Sequence, residues 1–186
     1  AGIPVFLYEM RPDTSTGAHI TGDLAELVCS NSLGSTTRNR PSGLLKEELE
    51  LLGSLLIECA NKTSLPAGSA LAVDRAAFAR LVSESIRNHP NITIIRKEVT
   101  TLPLTPAIVA TGPLTSSTLA SAIQEFTGSA YLYFFDALSP IVEFSSINMD
   151  IAFKASRYKF EAKDIGDYIN CPMNKIEYEA FYKELL

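Results

Sequence analysis

The sequence has few cysteines, and their spacing excludes two common kinds of crosslink. Only Cys29, Cys59 and Cys171 are present, an odd number at wide intervals. No Cys-x-x-Cys pair occurs, so neither a structural zinc site nor a disulfide framework is indicated. No spacing of histidines and carboxylates suggests another metal site, and we expect none. Cysteines without such a framework suit a reducing cytoplasm, where we expect the protein to act.

Long apolar runs and a large excess of charge are also lacking. No run of about 18 apolar residues occurs, so we expect no transmembrane helix and no membrane partner. No basic region followed by an apolar run opens the sequence, so no secretory signal is expected. The net charge of −5 argues against a protein that binds nucleic acid by bulk charge, and leaves only a local basic patch. The 46% apolar fraction is enough for a sizeable core.

Alternating strand and helix patterns up to about residue 112 predict an α/β fold. The apolar run from Ile3 to Tyr8 predicts a buried strand in a parallel sheet. An apolar stripe from Leu45 to Cys59 predicts one helix, and Asp74 is a typical N-cap for the next. Further strands are predicted at 70–73, 92–95 and 107–111, a helix at 116–126, and polar loops at 11–23 and 34–43.

The composition changes after residue 112, where aromatic residues become frequent. Strands are predicted at 131–135 and 141–144. Asn174, followed by Glu177, predicts the start of a last helix that continues to Leu186. The change in composition predicts a second subdomain.

The end of the first predicted strand is a candidate nucleotide site. In a Rossmann unit, an acidic residue at a strand end accepts hydrogen bonds from the ribose hydroxyls. Glu9 has this position, although no Gly-rich phosphate-binding turn precedes it in the sequence. Alone, Glu9 is more often a strand-end carboxylate in solvent. The segment AIVATGP (107–113) favours the nucleotide interpretation, because glycine after a strand lets a ligand approach the backbone.

A more specific signal comes from eight segments that follow one another in order. They are VFLYEMRP (5–12), AELVCSNSL (25–33), GLLKEELELLGSLL (43–56), PAGSALAVDR (66–75), VATGPLTS (109–116), YLYFFDALSPIV (131–142), INMDIAFKASRY (147–158) and YINCPM (168–173). Together they resemble the folate- and FAD-dependent tRNA (uracil-5-)-methyltransferase family of bacterial type. The resemblance covers essentially the whole chain.

The resemblance implies a partial Rossmann-like FAD-binding domain at 1–115 and an α+β insertion subdomain at 116–186. It also implies that the Gly-rich FAD loop and a second functional cysteine of the family lie outside this sequence. We therefore expect the sequence to be part of a longer chain. FAD binding and activity by the 186-residue polypeptide alone are expected to be weak or absent, because the loop that holds the pyrophosphate is missing from it.

The activity implied by the resemblance is methylation of carbon 5 of the T-loop uridine in tRNA. Methylenetetrahydrofolate donates the carbon, reduced FAD supplies electrons, and NAD(P)H reduces the flavin. Two alternatives stay open. One is the same chemistry on a ribosomal RNA uridine, and the other is a non-enzymatic fragment without cofactor. The sequence does not indicate an oligomeric state.

Cys29 is the candidate catalytic residue. A thiolate that adds to carbon 6 of uracil creates a nucleophile at carbon 5, and Cys29 lies where an apolar run meets a Ser/Asn-rich turn. From the residues alone, a buried inert cysteine is the commoner outcome. The resemblance matches Cys29 to a cysteine tied to catalysis, as nucleophile or as assistant. Cys59 is expected in the core. Cys171 is expected to be structural, with a place near the substrate as the alternative.

The remaining candidate residues contact cofactor or RNA. The resemblance implies cofactor contacts at Glu9, Arg11, Thr111 and Gly112. His19 is either an exposed loop residue or a polar contact on the flavin or folate side. Basic residues alternate with aromatic ones in the stretch 154–163, which is able to combine phosphate contacts with base stacking. From this stretch we predict RNA contacts at Arg157 and Lys159. The alternative is that the stretch is an ordinary solvated face. Arg38 and Arg40 form a smaller basic group.

Overall fold

The computed structural model describes residues 2–129, 142–155 and 166–186. Its strands are β1 (Val5–Glu9), β2 (Ser32–Ser35), β3 (Ser64–Leu65), β4 (Ala70–Val73), β5 (Ile92–Arg96), β6 (Phe153–Ala155) and β7 (Tyr168–Asn170). Its helices are α1 (Pro41–Leu51), α2 (Leu55–Lys62), α3 (Arg75–Arg87), α4 (Ser117–Thr127) and α5 (Lys175–Leu185). Within these ranges, no helix has the length and apolar character needed to cross a membrane.

Strands β1 and β5 form a parallel pair, as the sequence predicts for the first strand. The register runs from Val5 opposite Ile92 to Glu9 opposite Arg96, so the pair ends on two charged residues. The prediction that β1 is buried was wrong for the described residues. Phe6 is 66% exposed and Tyr8 50% exposed, so the face of β1 that carries them is not covered by the described residues.

A second sheet is antiparallel, with β4 between β2 and β3. The predicted strand at 70–73 is confirmed as β4, which is largely buried. Strands β2 and β3 were not predicted, and β2 overlaps the start of the predicted loop at 34–43. Both strands are short and rich in serine, so neither shows the apolar alternation that identifies a strand in a sequence.

The predicted single helix at 45–59 is two helices, α1 and α2. Residues 52–54 separate them, and Gly53 has a φ of 71°, a left-handed conformation that interrupts the helix. The apolar stripe continues across this break, which is why its periodicity alone predicts one helix. Cys59 lies on α2 and is 2% exposed, so its predicted place in the core is confirmed.

Helix α3 covers the core and begins as predicted. The Asp74 carboxylate accepts a hydrogen bond from the Ala77 amide at 2.9 Å, a side-chain N-cap. The core packs α2 and α3 against β4. Its buried members are Cys59, Ala60, Leu71, Val73, Phe78 and Val82.

The predicted strand at 107–111 was wrong. These residues have no strand structure and are exposed, with Ile108 at 94%. An apolar run becomes a strand only where a neighbouring strand supplies hydrogen bonds, and none of the described strands pairs with it. The next prediction is confirmed, since α4 has a side-chain N-cap at Ser116 and ends at Gly128 in the left-handed conformation.

The second part of the chain contains the antiparallel pair β6–β7 and helix α5. The predicted start of α5 is confirmed, because Asn174 and Glu177 form a reciprocal capping box. The predicted strand at 131–135 lies outside the described residues. In the predicted strand at 141–144, Phe144 instead opens a 3₁₀ turn, because the Glu143 carbonyl accepts bonds from both the amide and the hydroxyl of Ser146.

The region of the β6–β7 pair contacts the turn between β3 and β4. The Tyr168 hydroxyl donates to the Ala67 carbonyl at 3.1 Å. The Gly68 amide donates to the Asp167 carboxylate at 2.6 Å. These bonds join residues about 100 positions apart in the sequence and attach the second part of the chain to the sheet of β2, β3 and β4.

Candidate cofactor and thiol site

Glu9 lies at the carboxyl end of β1, and its carboxylate is held by one neighbour. Arg11 donates to Oε1 from its amide and from Nε, both at 3.0 Å, and to Oε2 from Nη2 at 3.1 Å. Burial by itself raises the pKa of Glu9, but the bonds and charge of Arg11, with the charge of Arg96, outweigh it and lower the pKa. Glu9 is therefore a fixed, ionised carboxylate at neutral pH.

Arg11 is 5% exposed, and all five of its side-chain N–H groups have acceptors. Nε and Nη2 bond Glu9, and Nη2 also donates to the Asp23 carbonyl at 3.0 Å. Nη1 donates to the Thr21 carbonyl at 3.3 Å and to Glu26 Oε2 at 3.0 Å. The guanidinium has no donor left for a ligand, so the structure places Arg11 behind Glu9.

Glu26 closes the network on the other side of Arg11. Its Oε1 accepts from the Ile20 amide at 2.9 Å, and its Oε2 accepts from the Thr21 amide at 3.0 Å and hydroxyl at 2.8 Å. Burial alone raises the pKa of Glu26, but these bonds lower it overall, helped by the charge that His19 carries once it is protonated at lower pH. Two carboxylates thus share one buried guanidinium, and all three are charged at neutral pH.

Cys29 follows three residues after Glu26, in a segment that is attached at both ends. Its backbone carbonyl accepts a bond from Arg75 Nη2 at 3.2 Å. Two residues later, Asn31 and Val73 exchange bonds: the Val73 amide donates to the Asn31 carbonyl at 2.9 Å, and Asn31 Nδ2 donates to the Val73 carbonyl at 3.1 Å. The half-buried Cys29 is in no disulfide, and its backbone is fixed by the start of α3 and the end of β4.

The same loop is tied to α3 at its centre. The amide of the buried Leu24 donates to the hydroxyl oxygen of Ser83 on α3 at 2.8 Å. Ser83 is 1% exposed, so this bond lies in the interior. The loop from Arg11 to Asn31 therefore connects the strand end that carries Glu9 with the segment that carries Cys29.

Thr111 and Gly112 lie on an exposed segment before α4. The hydroxyls of Thr111 and Thr115 are 2.5 Å apart, and Thr115 also donates to the Gly112 carbonyl at 2.7 Å. Gly112 has a φ of 68°, and a side chain there would meet nothing described within 4 Å. The structure thus leaves the Gly112 backbone open to approach, and the bond to its carbonyl comes from Thr115 close by in the sequence.

His19 lies beside the Glu9–Arg11–Glu26 network, half-buried rather than fully exposed. Its Nδ1 lies 2.6 Å from the Thr16 hydroxyl oxygen, which also accepts from the His19 amide at 3.1 Å. Burial and the positive charge of Arg11 lower the pKa of His19, although Glu26 and Glu9 oppose the change. At neutral pH the ring is therefore uncharged.

Arg157 and Lys159, the predicted RNA contacts, lie outside the described residues, as does most of the stretch 154–163. Lys154 is described and exposed on β6. In the smaller basic group, Arg38 pairs with Glu47 at 3.2 Å in an exposed setting, and Arg40 is exposed directly before α1. Among the described residues, no group of three or more histidine, cysteine or acidic side chains could hold a metal ion.

The residues around Glu9 fit the ribose of a dinucleotide. A carboxylate offers about four acceptor positions, and Arg11 fills two on Oε1 and one on Oε2. One position on Oε2 stays available to a ribose hydroxyl, and the side chain is 20% exposed. The orientation is set before any ligand arrives, which favours binding.

Three residues of this arrangement were not found from the sequence: Glu26, Asn31 and Arg75. Glu26 and Asn31 lie inside the segment AELVCSNSL. This segment indicated where the site lies, but not which residues Glu26 and Asn31 bind. Arg75 pairs with a residue 46 positions away. Such contacts connect loop residues, and no periodic pattern in a sequence reports them.

Comparison with known proteins defines the class. A family model described as glucose inhibited division protein A matches residues 1–186. The chain belongs to this family, whose fold is an FAD-binding Rossmann-like domain, and the predicted fold class is thereby confirmed.

Individual relatives narrow the class. A protein of Natranaerobius thermophilus named methylenetetrahydrofolate–tRNA-(uracil-5-)-methyltransferase TrmFO is 54% identical over 186 residues, which are 100% of this chain and 42% of the relative. Proteins of the same name from a Synechococcus species and from Persephonella marina are 54% and 53% identical across the whole chain, and it covers 40% and 42% of them. The predicted family resemblance is confirmed, and the chain spans about two fifths of the length of these relatives.

Proposed function

We propose that this chain is part of a flavin- and folate-dependent tRNA (uracil-5-)-methyltransferase. The observation that carries the proposal is the loop from Arg11 to Asn31, which joins a pre-oriented strand-end carboxylate to a fixed cysteine segment. A ribose-binding group and a thiol are both needed by an enzyme that uses FAD and activates uracil. The names of the relatives support the same activity.

In this proposal, Glu9 accepts a hydrogen bond from the adenosine ribose of FAD, and Arg11 holds the carboxylate from behind. The Gly112 backbone, open on one side, lies against the cofactor, and Thr111 contributes a hydroxyl. When bound, the reduced flavin supplies the electrons that convert a methylene group from methylenetetrahydrofolate to a methyl group. NAD(P)H is the proposed reductant of the flavin.

Cys29 supplies the thiol that acts on the uracil ring. As a thiolate, it adds to carbon 6 and makes carbon 5 nucleophilic, or it assists the residue that does so. The bonds from Arg75 and between Asn31 and Val73 hold its backbone in place, which favours a reproducible attack geometry. A reducing cytoplasm would keep this cysteine as a thiol.

The proposal is tested with the complete gene product. We expect it to purify with FAD, and to form 5-methyluridine in a T-loop tRNA transcript only when methylenetetrahydrofolate and NAD(P)H are both present. Mass spectrometry of nuclease digests measures the product. A ribosomal RNA transcript, offered in parallel, should stay unmodified. Methylation of the ribosomal RNA alone would show that ribosomal RNA, and not tRNA, is the substrate. A flavin-free protein that methylates neither RNA would overturn the proposal.

The RNA contact is proposed for Arg157 and Lys159. Each phosphate contact releases counterions, so its loss weakens binding and reduces the dependence of affinity on salt. We expect the double charge reversal Arg157→Glu and Lys159→Glu to do both in a tRNA binding assay at several salt concentrations, while Arg38→Glu has a smaller effect. An unchanged affinity and an unchanged salt slope would show that this stretch is only a solvated face.

A further inference from the structure

We propose that Glu26 is a positioning residue for the cofactor, which acts through Arg11 on Glu9 and touches no ligand itself. The inference rests on the proposed ribose contact of Glu9. Neither the family match nor the names of the relatives assigns a role to Glu26.

The first step is that the acceptor positions of the Glu26 carboxylate are filled by groups of the protein itself. Its two oxygens accept five bonds, from the Ile20 amide, the Thr21 amide to both oxygens, the Thr21 hydroxyl and Arg11 Nη1. Its side chain is 13% exposed. A carboxylate with its acceptor positions filled in this way has none to offer a ligand.

The second step is that Arg11 transmits the position of Glu26 to Glu9. The guanidinium is planar and rigid, so Nη1 cannot move without Nε and Nη2. Nη1 lies 3.0 Å from Glu26, and the other two nitrogens lie 3.0 and 3.1 Å from Glu9. The Thr21 and Asp23 carbonyls complete the ring of acceptors around Arg11.

The third step is that Glu9 is the member of the network with an acceptor position to spare. Both of its oxygens are oriented by Arg11, and one position on Oε2 stays open. Glu26 thus fixes a guanidinium, the guanidinium fixes a carboxylate, and the carboxylate receives the ribose. A ligand that meets a fixed acceptor loses less conformational entropy on binding.

The test is a double-mutant cycle on FAD affinity. In the complete gene product, stripped of flavin, FAD is titrated into wild type, Glu9→Gln, Glu26→Gln and the double variant. Glu26→Gln keeps an acceptor oxygen for the Ile20 and Thr21 amides, but it turns N–H donors towards Arg11. Glu58→Gln is the matched control, since Glu58 is exposed and pairs with Lys62 one helical turn away.

We expect the Kd for FAD to rise on the order of tenfold in Glu26→Gln and to stay unchanged in Glu58→Gln. The double variant should bind no more weakly than Glu9→Gln alone, because Glu26 acts only through Glu9. At saturating FAD, kcat of Glu26→Gln should return to within about twofold of wild type, a recovery that a general loss of structure does not give. If Glu26→Gln fails to fold by circular dichroism, Arg11→Lys replaces it in the same cycle, since Lys keeps the charge but not the rigid fork.

The other outcomes separate this inference from the proposed function. If Glu9→Gln weakens FAD binding but Glu26→Gln does not, or if the two effects add, the positioning role of Glu26 is wrong and the ribose contact stands. If Glu9→Gln itself leaves the Kd unchanged, the ribose contact is wrong, and the role of Glu26 falls with it.

Discussion

The backbone carbonyl of Cys29 accepts a hydrogen bond from Arg75 Nη2 at 3.2 Å, across 46 positions of sequence. Arg75 is the first residue of α3, directly after the N-cap Asp74. The start of a well-capped helix thus holds the backbone beside the proposed reactive thiol. An anchor of this kind affects the chemistry through geometry, without contact with the substrate.

Loss of this anchor should slow turnover without loss of flavin. We expect Arg75→Ala in the complete gene product to lower kcat on the order of tenfold, because the Cys29 segment is no longer held in one conformation. The FAD content should match wild type. Arg80→Ala is the control, since Arg80 is an exposed residue of the same helix. An unchanged kcat in folded Arg75→Ala would show that Asn31 and Val73 hold the segment without help.

Acidification should weaken the Glu9–Arg11–Glu26 network. Both carboxylates have a pKa below the ordinary value in the folded protein, so their stabilisation is fully present above the unfolded pKa of about 4.3. It is lost as the pH falls below that value. The lowered pKa of His19 also reduces the stability of the folded protein as the pH falls below about 6.5, because the unfolded state binds that proton more readily.

Removal of Arg11 should therefore lower the free energy of unfolding most at neutral pH. Arg11→Met removes the guanidinium from two half-buried carboxylates, and we expect it to lower the free energy of unfolding by about 3 kcal/mol at pH 7. Urea unfolding at pH 7 and pH 4 measures the difference from wild type. The difference should shrink at pH 4, where protonation removes the unpaired charges. A difference that is independent of pH would contradict the charged network.

Gly43 limits the packing of α1 against the preceding loop. It is buried, and a Cβ there would overlap the backbone carbonyl group of Thr37. Gly43→Ala should lower the free energy of unfolding by about 2–3 kcal/mol, because a backbone segment must move rather than a side chain. Glu48→Ala, at an exposed position of the same helix, should change it little. Equal urea midpoints for the two variants would contradict this account of the packing.

The parts predicted well from the sequence are those with local signals. Asp74 and the Asn174–Glu177 pair mark helix starts by their own side-chain chemistry, and the structure confirms both. The run beginning at Ile3 predicted a parallel strand correctly, because an apolar run before a helix–strand alternation is typical of such sheets.

Long-range relationships were not predictable in this way. The break at Gly53 is hidden by a stripe of leucines that continues through it. The segment 107–111 has the composition of a strand but no described neighbour to pair with. The pairing of Arg11 with Glu26 depends on how an irregular loop folds back, and no spacing rule describes such a loop. The residues predicted for the site were therefore found by resemblance, whereas their supports were found from the structure.

The proposed roles of the cysteines are separated by a paired comparison. Cys59 is a core residue, so Cys59→Ala should lower the free energy of unfolding by about 1–2 kcal/mol through a small cavity. Its turnover per folded molecule should stay close to that of wild type. A marked loss of turnover in folded Cys59→Ala would place a functional thiol in the core, contrary to this account.

The most direct measurement is single-turnover methyl transfer by folded, flavin-loaded Cys29→Ala. Alanine is small and removes only the sulfur, so FAD content should equal that of wild type. If the thiol acts in the chemical step, the rate of 5-methyluridine formation should fall on the order of a thousandfold, and Cys29→Ser should not restore it, because an alcohol is far less ionised at neutral pH. A near-normal rate in Cys29→Ala with full flavin content would contradict the account and make Cys29 an inert cysteine.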